Sequence, residues 1–446
     1  MQVDDAVTAH LGQDVEVRPY EEFLSYLEDL VGTGLVKKDQ PVLLGDKTSL
    51  AVVHALGEEN VVTVPSPVAA MAAMKAITNS TEIEGFRQYH IRDGAALARY
   101  FAWLEEQLHN GVVLDESQRS DKLEELRSEL DLFRGLSFTT IFSTGPNAAI
   151  IHYSPDPQNC AIIKKDQVLM SQTCCQYFDG TTDVTGTWHF GTPSEEEKRA
   201  LTRVLQGHIA IDTAVFPTET TGYAIDSWAR RYLWKDGLDY RHGTGHGVGH
   251  FLNVHEGPQG IGTRIAYNSS GLKAGMTMSN EPGYYADGKW GIRIESVVVV
   301  REIETPNNFG KFGYLRSFER VTMCPIQTSL INLSPLTLEE KKWLNEYHAE
   351  VESKVGPLLE GKDACALAWL KIKCDTACLI PLGRGSLARR VEQVVFVSIY
   401  VQECYCRYGH LYCRVFARQS PPWFLIAVKS RHQCASVPTG HAGLTD

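Results

Sequence analysis

Four histidines fall within fourteen residues in the run His242-Gly-Thr-Gly-His246-Gly-Val-Gly-His250-Phe-Leu-Asn-Val-His255-Glu-Gly-Pro258. Imidazoles at that density suit a transition-metal ion. Gly243, Gly245, Gly247 and Gly249 alternate with them, and each would cost a helix about 1 kcal/mol relative to alanine. The fourfold spacing is therefore not a helical zinc motif, and the glycines are expected to let backbone pass close to an ion or substrate. Taken singly, each histidine also reads as a hydrogen-bonded structural group, and His250 reads as an exposed loop residue.

Three carboxylates stand in comparable settings. Asp183 leaves an Asp179-Gly180 hairpin, Glu281 lies in Asn280-Glu-Pro-Gly-Tyr284, and Glu295 ends Gly291-Ile-Arg-Ile-Glu295. In an extended chain Ile292 and Ile294 face one way, Arg293 and Glu295 the other. The second pair alone would make a surface salt bridge. Beside a histidine-rich loop, the carboxylates instead suit a divalent cation with mixed oxygen and nitrogen ligands, manganese, cobalt or zinc before calcium.

The elements that must position these groups follow from periodicity. Helical stretches such as Tyr20–Leu30 alternate with short β-branched runs from Val15 to Val64, as in an α/β unit. Ser66-Pro67 opens a helix through Ala76, and Thr81-Glu-Ile-Glu84 forms a capping-box pattern. The amphipathic helix behind it carries Leu97, Phe101, Leu104 and Leu108 on one face. Further helices are expected over Asp121–Phe133, from Thr192-Pro193-Ser-Glu195, and after the capping box Thr337-Leu-Glu-Glu340. Strands are expected at Ala149–Tyr153, Gln167–His189 and Gly291–Val300. Helices precede most of the strands, which favours an α+β domain over a doubly wound sheet.

The chain has 446 residues, enough for roughly three domains, and its 43% hydrophobic and 22% charged content is that of a globular protein. A net charge of −11 with no Lys/Arg-dense stripe in the first 370 residues argues against nucleic acid as a partner. The longest apolar run, Val394 to Val401, is far shorter than the roughly 20 residues of a membrane span. The first residues carry neither a basic start nor an apolar stretch, so the expected compartment is the cytoplasm. Residues 371–446 carry 10 Lys+Arg against 4 Asp+Glu, where the rest has 33 against 50, and seven of the eleven cysteines lie from Cys365 onward. Their spacing forms no paired CxxC set, so neither a zinc site nor a disulfide framework is expected. The tail reads as a poorly ordered, unrelated extension, with strand-like runs at Val394–Tyr400 and Trp423–Val428.

A resemblance joins these features. The ordered set Ala149-Ile-Ile-His152-Tyr, Tyr177-Phe-Asp-Gly-Thr-Thr-Asp183-Val-Thr, His242-Gly-Thr-Gly-His246, Asn253-Val-His255-Glu-Gly-Pro, Glu281-Pro-Gly-Tyr-Tyr and Gly291-Ile-Arg-Ile-Glu295 closely resembles aminopeptidase P of the cytosolic eukaryotic type. Val321-Thr-Met-Cys-Pro-Ile-Gln-Thr328 and Trp343-Leu-Asn-Glu-Tyr-His348 extend it to about Leu370. The resemblance implies a pita-bread catalytic domain at 80–325, preceded by a partial creatinase-type α/β domain at 1–79 and followed by the family's C-terminal extension at 326–370, with the unrelated tail at 371–446. It also implies a missing first domain, a homodimer, two manganese ions, and cleavage of the first peptide bond of peptides with proline second, by a hydroxide shared between the metals. Prolidase and creatinase-like enzymes share the fold; the extension around Trp343 favours aminopeptidase P.

By the same resemblance Asp183 and Glu295 bridge both metals and His246 and Glu281 complete one shell. Glu281 passes a proton to the leaving nitrogen, His255 and His242 contact the scissile region, and His152 lines the proline-side pocket. The other metal's remaining ligand is an aspartate eleven positions before Asp183, in a segment the family writes Asp-Ser-Gly-Ala-Gln-Tyr. This chain reads Gln172-Thr-Cys-Cys-Gln176-Tyr177, and Gly186 stands where relatives commonly have arginine. Glutamine can ligate through its amide oxygen but brings no charge, so one ion is expected to be held weakly or not at all. A catalytically impaired module that binds a peptide or partner is the alternative function.

Overall fold

The computed structural model describes residues 3–64, 70–307 and 315–375, with the backbone of 400–407, 410–416 and 425–426. The chain divides into Met1–Pro381 and Leu382–Asp446. In the first unit, Val42–Gly45 pairs in parallel with Val61–Val64 across the helix Leu50–Leu56, the α/β unit that the alternation of elements predicts. The helix expected from Ser66 is described from Ala70 to Ala76, its start lying outside the described residues.

A 30-residue helix, Ser80–His109, forms the spine of the larger part. Its capping box is Asn79 with Glu82, not Thr81 with Glu84. Both pairs have the right spacing, but Thr78 N is tied to Gly275 O at 2.9 Å, which holds the chain extended up to Asn79 and leaves that side chain at the helix start. Leu97, Phe101, Leu104 and Leu108 are buried as the periodicity predicts, with Phe101 stacked near Trp188 and Trp369. The next helix runs Glu116–Ser128, starting earlier than Asp121 and ending before Phe133, which opens the strand Phe133–Leu136. Asp115 caps it at Gln118 N, and buried Glu116 accepts from Thr144 N, Ala161 N and the Tyr153 hydroxyl. Those tertiary bonds set its start, and pairing of Phe133 with Tyr177 takes the chain's next residues into a sheet.

The Gln167–His189 segment resolves into Leu169–Thr173, Cys175–Tyr177, Gly180–Thr181 and Val184–Trp188. Leu169–Thr173 is the centre of an antiparallel sheet between Ile141–Thr144 and Val184–Trp188. A second sheet orders Thr277–Asn280, Ser296–Ile303, Leu315–Arg320 and Phe216–Pro217, and a bridge from Thr185 to Glu295 joins the two sheets. Gly291–Val300 is not one strand: it breaks after Arg293, where the Gly283–Ala286/Trp290–Arg293 hairpin ends. Ala149–Tyr153 is not a strand either. Pro146 starts a short 3-10 turn through Ala149, and Ile150 and Tyr153 close successive turns onto Asn147 O and Ile150 O. The helix Leu338–Leu359 begins at the Thr337/Glu340 capping box that the sequence predicts, and Glu195–Asp212 starts within the expected Thr192–Glu195 segment, at a Ser194/Glu197 capping box.

Three buried histidines make this fold sensitive to acid. Burial holds His90 and His348 down to about 4 and His208 to about 3. The unfolded chain, with histidines near 6.5, binds more protons below that pH, so the stability is present above about 6.5 and is lost toward pH 4. The urea midpoint is expected to fall steadily between pH 7 and pH 5, and His208→Gln to flatten that fall. A midpoint independent of pH over that range would exclude the mechanism.

In the second unit, Tyr400–Arg407, His410–Phe416 and Leu425–Ile426 form an antiparallel sheet in that order. β-branched and aromatic side chains at these residues favour extended chain. Most of the run Val394–Tyr400 and the flanks of Leu425–Ile426 lie outside the described residues.

Candidate metal centre

The glycine run forms no helix. Gly245-His246 pairs antiparallel with Gly260–Ile261, and Gly247 bridges Met278. A Cβ added at Gly245 would sit 2.0 Å from Ser279 O, and one at Gly247 1.9 Å from Glu256 O. Protein carbonyls are close neighbours of both glycines, because two extended backbones cross there. The crossing brings His246 N to Ser279 Oγ at 3.0 Å, and Ser279 Oγ donates to Glu281 Oε1 at 3.1 Å.

His246 Nε2 then faces Asp183 Oδ2 at 3.3 Å and Glu281 Oε1 at 3.6 Å. Ligand atoms of Asp183, His246 and His255 lie within 4.8 Å of one another, and so do those of His246, Glu281 and Glu295. His255 stands edge-on to His246 with ring centroids 4.2 Å apart. Asp183 is fully buried where the Val184–Trp188 strand starts, and its Oδ1 accepts from the Cys174 thiol at 2.9 Å. Glu295 N bonds Thr185 O at 3.0 Å, and Glu295 Oε2 accepts from Thr185 Oγ1 at 2.5 Å. Gln172 is paired with Thr185 across the sheet, so its side chain stands on the same face.

The surface salt bridge that Arg293 and Glu295 might have made on sequence grounds is instead buried, at 2% and 1% exposure. Arg293 Nε lies 3.7 Å from Glu295 Oε2 and donates to Thr185 Oγ1 at 3.0 Å, while Nη1 donates to the Tyr285 oxygen at 3.0 Å. The packed sheets above and below exclude water from the pair. Tyr285 in turn donates to His242 Nε2 at 2.9 Å. A carbonyl only accepts, so the 2.7 Å contact from His242 Nδ1 to Gly243 O places the imidazole proton on Nδ1. Burial, with Arg293 close by, pushes His242 down to about 3, against the pull of the Gly243 bond, so the imidazole is neutral. His152, exposed in the turn after the 3-10 segment, is close enough to lower the basicity of both His242 and His255. His250 is not exposed as its loop position suggests; it is half-buried, edge-on to Phe86 at 5.9 Å.

Residues 84–302 match the model of metallopeptidase family M24, 314–377 the C-terminal region of that peptidase, and 1–82 the creatinase/prolidase N-terminal domain. The chain belongs to the M24 metallopeptidases. Over 374 residues it is 66% identical to a Laccaria bicolor protein named "Probable Xaa-Pro aminopeptidase P", an alignment covering 84% of this chain and 57% of the relative. A Coprinopsis cinerea protein of the same name is 64% identical over 380 residues, covering 83% and 60%. The chain thus spans under two thirds of the length of these curated relatives. A solved X-prolyl aminopeptidase from Caenorhabditis elegans, described as a cytosolic enzyme with a di-nuclear active site, superposes with TM-score 0.77 at 38% identity, over 83% of this chain and 60% of that one. The catalytic part has the pita-bread fold of the M24 peptidases, in an α+β arrangement behind a creatinase-type N-terminal domain.

In this M24 centre the protonation behaviour is that of crowded acids. Burial, with the charges of Asp183 and Glu281, holds the Glu295 carboxyl well above the usual range, and burial raises Glu281 against the pull of His246. Burial works to lower His246, yet its bond to Asp183 and the nearby glutamates push it up to about 10. Asp183 is held below its ordinary value: burial opposes this, and His246 prevails. Apart from the 3.3 Å contact of Asp183 Oδ2 with His246, Asp183 Oδ2, Glu295 Oε1 and Gln172 Oε1 are buried without a hydrogen-bond partner among the described residues. Buried acceptors are rarely left so, and a divalent cation answers both the charge and the unused lone pairs. The residues present therefore fit the metal that an M24 fold implies.

Sequence reasoning missed the relay through Tyr285 and Arg293, although both residues sit inside segments it singled out. The signal available was the alternation in Gly291-Ile-Arg-Ile-Glu295, which shows that Arg293 and Glu295 share a face but not whether that face meets water.

Proposed function

We propose that this chain is a metal-dependent aminopeptidase that removes the first residue from peptides with proline in second position. The observation that carries the reading is the convergence of Asp183, His246, Glu281 and Glu295 on one buried place, with His255 beside them. Its support from outside the site is the similarity to the fungal proteins and the nematode enzyme. When bound, a divalent ion, manganese foremost with cobalt or zinc as alternatives, supplies Lewis acidity and a water made acidic at neutral pH. Asp183, His246, Glu281 and Glu295 would hold it.

The chain's own groups do the rest. Glu281, made a weaker acid by burial, takes up a proton more readily than a free carboxylate and delivers it to the leaving proline nitrogen. His255, also made less basic by burial and by His246, is a neutral hydrogen-bond partner for the scissile carbonyl region. His242, fixed as the Nδ1–H tautomer by Gly243 and Tyr285, stands with His255 at the scissile region, and His152 lines the proline side. The compartment is the cytoplasm, in line with the nematode enzyme's description; among the described residues no helix is long and apolar enough to cross a membrane. The chain would pair with a second copy.

Cleavage of a tripeptide with proline second, in manganese, tests the reading. Turnover is expected to vanish on chelation and to return with added manganese, and longer Xaa-Pro peptides to be cut as well as dipeptides. Cleavage restricted to dipeptides would make the chain a prolidase instead. A second reading, a peptide- or partner-binding module with poor turnover, is favoured by neutral Gln172 in the site; tight binding of Xaa-Pro peptides without cleavage at saturating manganese would establish it.

A further inference from the structure

We propose that this centre holds a single divalent ion, and that the Cys174 thiol and the Gln172 amide close the place a second would need. The inference rests on the metal-centre reading above and specifies its stoichiometry.

Geometry crowds the place of a second ion. The two sets of converging donors, Asp183 with His255 and Glu281 with Glu295, both include His246. Asp183 is the residue that would have to serve two ions, one through each oxygen. Its Oδ2 faces His246 and is otherwise unpartnered, but its Oδ1 already accepts the Cys174 S–H at 2.9 Å. A proton pointed at Oδ1 repels a cation arriving from the same side. Cys174 is fully buried and so is Asp183, so water cannot take over that bond.

Charge leads to the same count. Ionised around a bound cation, Asp183, Glu281 and Glu295 bring three negative charges, His246 as a neutral ligand brings none, and the Arg293 guanidinium, 3.7 Å from Glu295, brings one positive charge. A single dication brings this sum to zero. A second would leave uncompensated positive charge in a site shielded from water, which is costly. Gln172, on the same face as Thr185, offers an unpartnered buried carbonyl oxygen but no charge to offset it. An aspartate there would supply the missing negative charge.

The test is metal content of the full chain, dialysed against manganese(II) and measured by mass spectrometry of the metal per folded chain, with electron paramagnetic resonance on the same samples. The unmodified chain is expected to hold one equivalent with the spectrum of an isolated ion. Gln172→Asp combined with Cys174→Ala is expected to take up a second equivalent and to show the spectrum of a coupled pair. Two equivalents in the unmodified chain would overturn the proposal, as would a folded double variant that still holds one. Should the double variant not fold, the cobalt(II)-loaded unmodified chain decides: a sulfur-to-cobalt charge-transfer band would make Cys174 a ligand and overturn its capping role, and its absence at one equivalent supports it. One equivalent without Xaa-Pro cleavage would sink the aminopeptidase reading while sustaining this one. No bound metal, with His246→Ala indistinguishable from the parent, would sink both.

Discussion

Glu281→Gln is expected to lower kcat on a Xaa-Pro tripeptide by about 10²–10⁴-fold, the range for loss of a positioned proton-transfer group. Glu281 Oε1 is bonded by Ser279 Oγ at 3.1 Å, and its backbone N is held by Thr244 O at 2.7 Å, so the amide would occupy the same place. What it loses is the proton. Because burial makes the Glu281 carboxyl costly to ionise, the metal-depleted variant is expected to melt no lower than the metal-depleted parent. The two effects separate the roles. Turnover near the parent's at saturating manganese would exclude Glu281 as the proton carrier, whereas loss of bound metal alone would reduce it to a ligand.

A second large effect belongs to a pair behind the site. Arg127 donates from Nε and Nη2 to both oxygens of Asp93, at 2.8 and 2.9 Å, and from Nη2 to Thr173 Oγ1 at 3.0 Å. Tyr177 adds its hydroxyl to Asp93 Oδ1 at 2.8 Å. Both charged side chains are almost wholly buried, and together they clamp the chain on either side of Cys174-Cys175 to the long helix. Arg127→Met leaves Asp93 charged, buried and without its counterion, and is expected to cost about 3–5 kcal/mol in urea unfolding. Adding Asp93→Leu is expected to recover part of the loss, since the remaining penalty is then one of shape and of the hydroxyl left on Tyr177. A loss below about 1 kcal/mol for Arg127→Met would show that the pair is solvated in solution.

Residue type and local spacing marked the candidate donors, and the resemblance to aminopeptidase P gave them their expected roles. A helix-breaking glycine at every second position, a hairpin turn before Asp183 and alternation before Glu295 are patterns complete within a few residues, and the physics behind them is equally local. The same holds for the Ser194 and Thr337 helix starts and for the apolar face of Leu97, Phe101, Leu104 and Leu108. Where two local patterns competed, as at Asn79 and Thr81, a bond from Thr78 to Gly275 decided, nearly two hundred residues away in sequence. Phe133 was read as helical and became a strand for a similar reason: its partner Tyr177 comes later in the chain.

Packing also decided which charges meet water. Alternation put Arg293 and Glu295 on one face, but only the bridge between Thr185 and Glu295 turned that face inward and made Arg293 part of the site. Residue spacing likewise did not show that Cys174 would turn its thiol onto Asp183, or that His250 would settle against Phe86. Chemistry that depends on residue type travels with the sequence; chemistry that depends on dielectric, counterions and which lone pairs are already taken exists only once distant segments have closed over it.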